Sequence, residues 1–328
     1  DSDEDSDEDS DEDSDEDSDE DSDEDELQSD LEIIYQRIEE RKSELESELQ
    51  NLAQQAFDKA HDPEQVAATL PWSDVTPDVL GGNPCSKPAL PSQIRVGELY
   101  NENIRDAEGP RLTIPAFLSI SKRKGLFFHS PEGQVGKSET VLQSAALRLL
   151  CSLPVGAAQV HLIDLPTRGR AFASLSSLDQ KLAPIAPGKP DAVTKFLNEM
   201  EERVATVTRS CLSRHEWICD YNAANPDEAE LYHFICISGF PTGLEEAHLQ
   251  AIQRLLHEEC GARAGIYFFF SSEEGRPNQS GFADISYIFT DGEKAEIVVV
   301  AGLRGQAIII RHVIVDVINE GMVAEGKI

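Results

Sequence analysis

The chain has 328 residues and a formal net charge of −34, with 28 basic residues against 62 acidic ones. Twenty of those acids fall within residues 1–26, which hold no Lys or Arg, so the remainder carries 42 acids against 28 bases, a net of −14. Nucleic-acid affinity comes largely from Lys and Arg neutralising phosphates, so this balance excludes a body-wide basic footprint and leaves room only for a local one. Six cysteines, Cys85, Cys151, Cys211, Cys219, Cys236 and Cys260, show no C-x-x-C spacing and mostly sit in apolar segments. That usage fits reduced, buried thiols in a cytoplasmic protein better than a disulfide frame or a zinc site. No apolar run approaches the ~20 residues of a membrane helix. The chain opens at Asp1 rather than at a methionine, and is expected to be a piece of a longer or processed polypeptide.

Residues 1–24 are six copies of Asp-Ser-Asp-Glu, followed by Asp25 and Glu26. A segment without apolar residues cannot offset its ordering entropy, so residues 1–26 are expected to be a disordered acidic tail. Such a tail suits basic partners, and its acid-flanked serines suit a kinase; a solubilising spacer would look the same. A helix is expected over 27–60. Leu27, Leu31, Ile34 and Ile38 follow the 4-3-4 spacing of a coiled-coil seam, and Leu45, Leu49, Leu52 and Ala56 repeat it after a skip near Lys42. A single amphipathic helix packed on the next domain satisfies the same pattern. Six prolines and the pair Gly81-Gly82 make residues 61–93 read as a linker, with Trp72 pinning it to the domain.

From Ile94 the pattern changes. Strand-like apolar runs at Gly125–Phe128, Gln159–Ile163, Tyr232–Ile237 and Gly265–Ser271 alternate with helical stretches at Ser138–Leu153, Ala192–Tyr221 and Glu245–Glu259. Short continuous apolar runs separated by helices indicate an α/β domain with a mainly parallel sheet covered on both faces, expected here over 94–318. Ile297–Val300 and Ala307–Ile318 read as two further strands, and 319–328 as a linker or tail. Lys122, Arg123 and Lys124 form a compact basic cluster, a candidate duplex-DNA contact or simply a solvated turn.

The run from Leu126 to Ser138 reads as a buried strand, a loop ending Gly136-Lys137-Ser138, and a helix. That is the setting in which backbone N–H groups cradle phosphates, a lysine reaches the outer phosphates and a hydroxyl meets Mg²⁺. The pattern G-x-x-x-x-G-K-[ST] is incomplete. Pro131 stands where the first glycine belongs, and Glu132 adds negative charge, although Gly133 restores some freedom. Gly133, Gly136, Lys137 and Ser138 are therefore the candidate ATP-binding residues, with Ser138 and Asp164 the candidate Mg²⁺ residues. An ordinary strand–loop–helix with a chance Gly-Lys-Ser is the alternative for the loop, and a turn aspartate the alternative for Asp164.

Further pieces, in order, resemble the FtsK/SpoIIIE family of RecA-like P-loop ATPases. They are Gln159-Val160-His161-Leu162-Ile163-Asp164-Leu165-Pro166, Phe196-Leu197-Asn198-Glu199-Met200-Glu201-Glu202-Arg203, Ile218-Cys219-Asp220-Tyr221-Asn222, Tyr232-His233-Phe234-Ile235-Cys236-Ile237, and the run from Arg263 to Ser272. The resemblance covers about two thirds of the chain. It implies a RecA-like fold, ATP and Mg²⁺ as ligands, and assembly with itself or with paralogous ATPase domains in a ring. It also implies a role in a DNA-translocating motor or, as in type VII secretion, a protein-export motor; a non-enzymatic scaffold is the third reading. The departures matter as much. Where the family carries Asp-Glu after its Walker B strand, this chain has Ser238-Gly239, and Ser271-Ser272-Glu273 replaces Ala-Thr-Gln. Neither Ser238 nor Gly239 can hold a metal as a carboxylate or take a proton, so ATP binding without hydrolysis is expected.

Overall fold

The computed structural model describes residues 20–60, 63, 65–76, 88–100, 113–120, 123–130, 132–133, 135–175, 178, 189–274, 286–291, 294–301 and 306–315. Contacts divide the chain after Leu52 into two units.

The first unit is dominated by helix α1, Glu20–Ala60, which begins inside the acidic repeat. The expected disorder of residues 1–26 thus lies outside the described residues for 1–19, and residues 20–26 are helical. Acidic residues in a first turn complement the positive end of the helix dipole. Along α1, side chains meet at i,i+3 and i,i+4, as in Arg41 to Glu44 (2.8 Å) and Gln36 to Glu40 (3.1 Å). The seam residues Leu31, Ile34, Ile38, Leu45 and Leu52 are exposed.

The second unit holds a nine-stranded mixed sheet in the order β2-β1-β9-β8-β7-β3-β6-β5-β4. Its strands are β1 (Gln93–Tyr100), β2 (Thr113–Ser119), β3 (Gly125–His129), β4 (Ala158–Ile163), β5 (Tyr232–Ile237), β6 (Ile266–Ser272), β7 (Ser286–Asp291), β8 (Lys294–Ala301) and β9 (Gln306–Val315). The half from β7 through β3, β6 and β5 to β4 is parallel throughout. The other half, from β7 to β2, pairs antiparallel.

Helices cover the parallel half. They are α2 (Val66–Thr69), α3 (Val135–Cys151), α4 (Pro190–Ser210), α5 (Ile218–Ala224), α6 (Glu246–Leu256) and α7 (Cys260–Arg263). Alternate residues of each strand feed separate cores, as the two-residue period of a strand requires. Leu126, Phe128, Phe234 and Phe269 join the core that includes α3, and Phe127, Ile235, Phe268 and Phe270 join the one that includes α4 and α6. β5 and β6 are buried along their whole length, which is why they are largely apolar. β3 and β6 lie so close at Gly125, φ +148°, that an added Cβ would stand 1.7 Å from the Phe268 carbonyl oxygen.

The stretch 65–76, read from the sequence as linker, is part of this body. Ala67, Ala68, Trp72 and Val75 belong to the α3-side core. Trp72 Nε1 donates to Ser144 Oγ (2.7 Å), and the fully buried Arg148 donates through Nη1 to the carbonyls of Ala67 and Leu70, both at 2.6 Å. Proline density marks where regular pairing fails, but it does not report whether the irregular backbone is packed.

Candidate nucleotide site

Strand β3 delivers the chain to the phosphate-loop segment at the C-terminal edge of the parallel strands, where ligands of open α/β sheets gather. Ser130 N donates to Ser272 O (2.9 Å), so the β3–β6 ladder runs into the loop. Glu132 and Gly133 form an exposed turn, and Gly133 takes φ +77°, a conformation natural to glycine. Pro131 and Gln134 lie outside the described residues. Helix α3 then opens at Val135, which places Gly136 and Lys137 in its first turn. Gly133 and Gly136 both face open space, with no atom within 4 Å of where a Cβ would stand. Ser138 is buried, with its Oγ 3.1 Å from Ser130 Oγ.

The next residue, Glu139, supplies a contact not evident from the sequence. Its carboxylate accepts a hydrogen bond from Ser238 Oγ, on the residue that follows β5. Both side chains are buried. Burial pushes the Glu139 carboxyl above the ordinary carboxylate range, the Ser238 hydrogen bond pulls it back, and the negative charges of Asp164 and Glu273 push it up again. Ser238 is held in turn, its N–H donating to Ile163 O (2.9 Å). Gly239 N donates to Ser271 Oγ (3.2 Å), and Ser272 Oγ donates to Phe240 O (2.6 Å). The serines at the end of β6 thus tie down the turn after β5.

Asp164, at the end of β4, is buried and accepts from the backbone N–H groups of Thr167 (2.9 Å), Gly169 (2.7 Å) and Ala171 (3.1 Å), and from Thr167 Oγ1. It closes its own turn, which matches the turn-aspartate alternative. A metal would have to compete with those four donors. Arg168 and Arg170 on this turn are exposed. A cleft of about 210 Å³ opens between the strand ends, lined by Pro166, Gly239, Phe240, Thr242, Glu273 and Glu274.

The basic cluster reads differently in three dimensions. Lys124 is buried at 5% exposure and Arg123 is partly buried; Lys122 lies outside the described residues. The cluster is therefore not a solvent-facing trio, because the residue that leads into β3 is covered along with the strand. Among the described residues no helix is long and apolar enough to cross a membrane, and no group of three His, Cys, Asp or Glu side chains is placed to hold a metal.

No protein-family model matches the sequence, and no curated protein does. Solved structures do match the fold. One is EssC (ATPases 2 and 3) from Geobacillus thermodenitrificans, 13% identical, with 74% of this chain and 48% of that one covered at a TM-score of 0.51. Thermomonospora curvata EccC (ATPases 2 and 3), in complex with a signal sequence peptide, is 13% identical over 71% of this chain and 45% of its own, at 0.49. The pCW3 conjugation coupling protein TcpA, in a monomer form with ATPγS, is 12% identical over 72% and 71%, at 0.48. The chain thus spans about half the length of the EssC structure. Its α/β body, with a parallel half-sheet and a strand–loop–helix at that sheet's C-terminal edge, has the RecA-like P-loop ATPase fold seen in the EssC structure.

Proposed function

We propose that this chain is a catalytically impaired P-loop ATPase module of a larger, oligomeric motor, binding Mg²⁺–ATP without hydrolysing it on its own. The observation that carries this reading is the end of β5. Ser238 and Gly239 stand there, and Ser238 spends its hydroxyl on Glu139. Phosphoryl transfer needs a phosphate cradle, a lysine, a metal and a group that orients water. Gly133, Gly136, Lys137 and Ser138 fit the cradle, lysine and metal roles. Magnesium favours hydroxyl and carboxylate oxygens and keeps several waters, so the small donor set here is compatible with it. When bound, the ion would neutralise phosphate charge. Neither Ser238 nor Gly239 can orient a water as a carboxylate, and losing one such group typically costs ~10²–10³ in rate.

The EssC structure contains ATPases 2 and 3, and this chain spans about half of it, as one module would. In a ring with itself or with paralogous ATPase domains, a paralogous module would supply hydrolysis. Duplex DNA is the cargo implied by the FtsK/SpoIIIE resemblance. The burial of Lys124 and the acidic body favour a second reading, in which the motor moves protein.

The test is direct. The purified chain should bind a fluorescent ATP analogue with Mg²⁺ and show no turnover above background, and Lys137→Ala should abolish that binding. Steady turnover that disappears in Lys137→Ala would overturn the reading. Retention on duplex DNA with a steep salt dependence would decide for DNA over protein cargo.

A further inference from the structure

We infer that Glu139 is the carboxylate that steadies Mg²⁺ beside Ser138, and that Ser238 aims it. This rests on the nucleotide-binding reading above and adds a positioning residue to it.

The argument starts from what the metal needs. Mg²⁺ in nucleotide sites takes a few protein oxygens, commonly one hydroxyl and one or two carboxylates, and leaves the rest to phosphates and water. In this chain the end of β5 cannot supply the acid, because Ser238 and Gly239 occupy it. Glu139 supplies one from the other side. It follows Ser138 directly in the first turns of α3, and its carboxylate reaches across to the residue that follows β5. The two partners have exchanged chemistry across the same gap: the helix brings the acid and the strand end brings the hydroxyl.

A plain structural tie between α3 and β5 is the competing account. It does not require a carboxylate. Burying an ionisable group is costly where a neutral amide would accept the same hydrogen bond, so a tie alone gives no reason for glutamate. Glu139 is 8% exposed, and none of the described ion pairs gives it a basic partner. The position of Glu139 is also firmly set. Ser238 is 2% exposed and anchored by its N–H to Ile163 O at 2.9 Å, so its hydroxyl is a fixed donor, as partners that orient a metal-site carboxylate commonly are. Asp164, the other acid at this edge, is occupied by residues 167–171 of its own turn.

The test uses Mn²⁺ as a spectroscopic stand-in for Mg²⁺ and a non-hydrolysable ATP analogue, on the whole chain. Free Mn²⁺ is counted by electron paramagnetic resonance, and nucleotide affinity is measured with metal and with EDTA. For the native chain, metal should tighten nucleotide binding. In Glu139→Gln, which keeps a hydrogen-bond acceptor for Ser238 but removes the charge, the metal-dependent gain should fall by at least about 10–100-fold, the cost usual for losing even an outer partner of a metal site. Moving the acid back to the strand, in the double variant Glu139→Gln with Ser238→Asp, should recover metal dependence, which a structural tie would not do. Ser238→Ala, with the acid intact but unaimed, should lose part of the gain, and it carries the test if Glu139→Gln fails to fold. A folded Glu139→Gln with undiminished metal dependence overturns the inference alone. A native chain that binds no nucleotide under either condition overturns the nucleotide-binding reading as well.

Discussion

The guanidinium carbon of Arg148 stands 4.4 Å from the ring centroid of Trp72, although one is in the last turn of α3 and the other in a distant, proline-flanked stretch. Arg148 is fully buried and holds the carbonyls of Ala67 and Leu70. The N-terminal stretch is thereby fastened to the helix that begins at the phosphate loop. Arg148→Ala removes two charge-assisted hydrogen bonds and a desolvated cation–π contact, and leaves two carbonyls without their donor. It should destabilise the protein by about 3 kcal/mol, measured by urea denaturation. A change below about 0.5 kcal/mol, the range of ordinary surface substitutions, would contradict this packing.

Gly125→Ala should be more damaging. Its Cβ would stand 1.7 Å from Phe268 O, a backbone atom in the centre of the sheet, and φ +148° is itself poor for an L side chain. The β3–β6 pairing that supports the loop must then separate. The expected loss is on the order of 4 kcal/mol, with little soluble protein recovered on expression. A variant that melts like the native chain would show that this close approach does not exist.

The buried histidine pair sets a pH dependence. His161 Nε2 and His233 Nδ1 lie 2.9 Å apart on adjacent strands, with Phe196 against His161. Burial lowers His161 from 6.5 to about 4. Burial first, then Arg203 and His161, lowers His233 to about 3. Both rings stay neutral in the folded state while the unfolded chain takes up protons. The stability from this pair is therefore fully present above pH 6.5 and is lost as pH falls toward 4 and 3. Each ring contributes a slope of up to about 1.4 kcal/mol per pH unit in that window. Replacing both with leucine should flatten the decline in unfolding free energy between pH 7 and 5; equal slopes would contradict the assignment.

Lys124→Ala should act on stability and not on DNA. Its side chain is covered, so truncation removes packing at the entry to β3. A loss of about 1 kcal/mol, or 2–4 °C in Tm, is expected for a body of this size. Any salt-dependent retention on duplex DNA should keep its slope. A flatter slope with unchanged Tm would return Lys124 to the surface and to the DNA contact.

What the sequence alone determined is what periodicity and residue chemistry carry locally. The apolar runs at Gly125–Phe128 and Tyr232–Ile237 had to be buried strands, and both are. Gly136-Lys137-Ser138 after such a strand had to open a helix, and α3 begins at Val135. The absence of an acid at Ser238-Gly239 could be read by position. Tertiary structure alone decided the pairings. Glu139 and Ser238 are 99 residues apart, and neither flanking pattern announces the other. Trp72 and Ser144, 72 apart, turn a proline-rich stretch into core. The sequence offered Asp164 as a turn residue or a metal residue, and the four donors of its own loop are what surround it. β1, β2 and β7 were not read as strands, because their places in the sheet depend on partners distant in sequence. A hydrophobic period reports that a face is covered; which residue covers it is fixed only when the sheet order brings distant segments together.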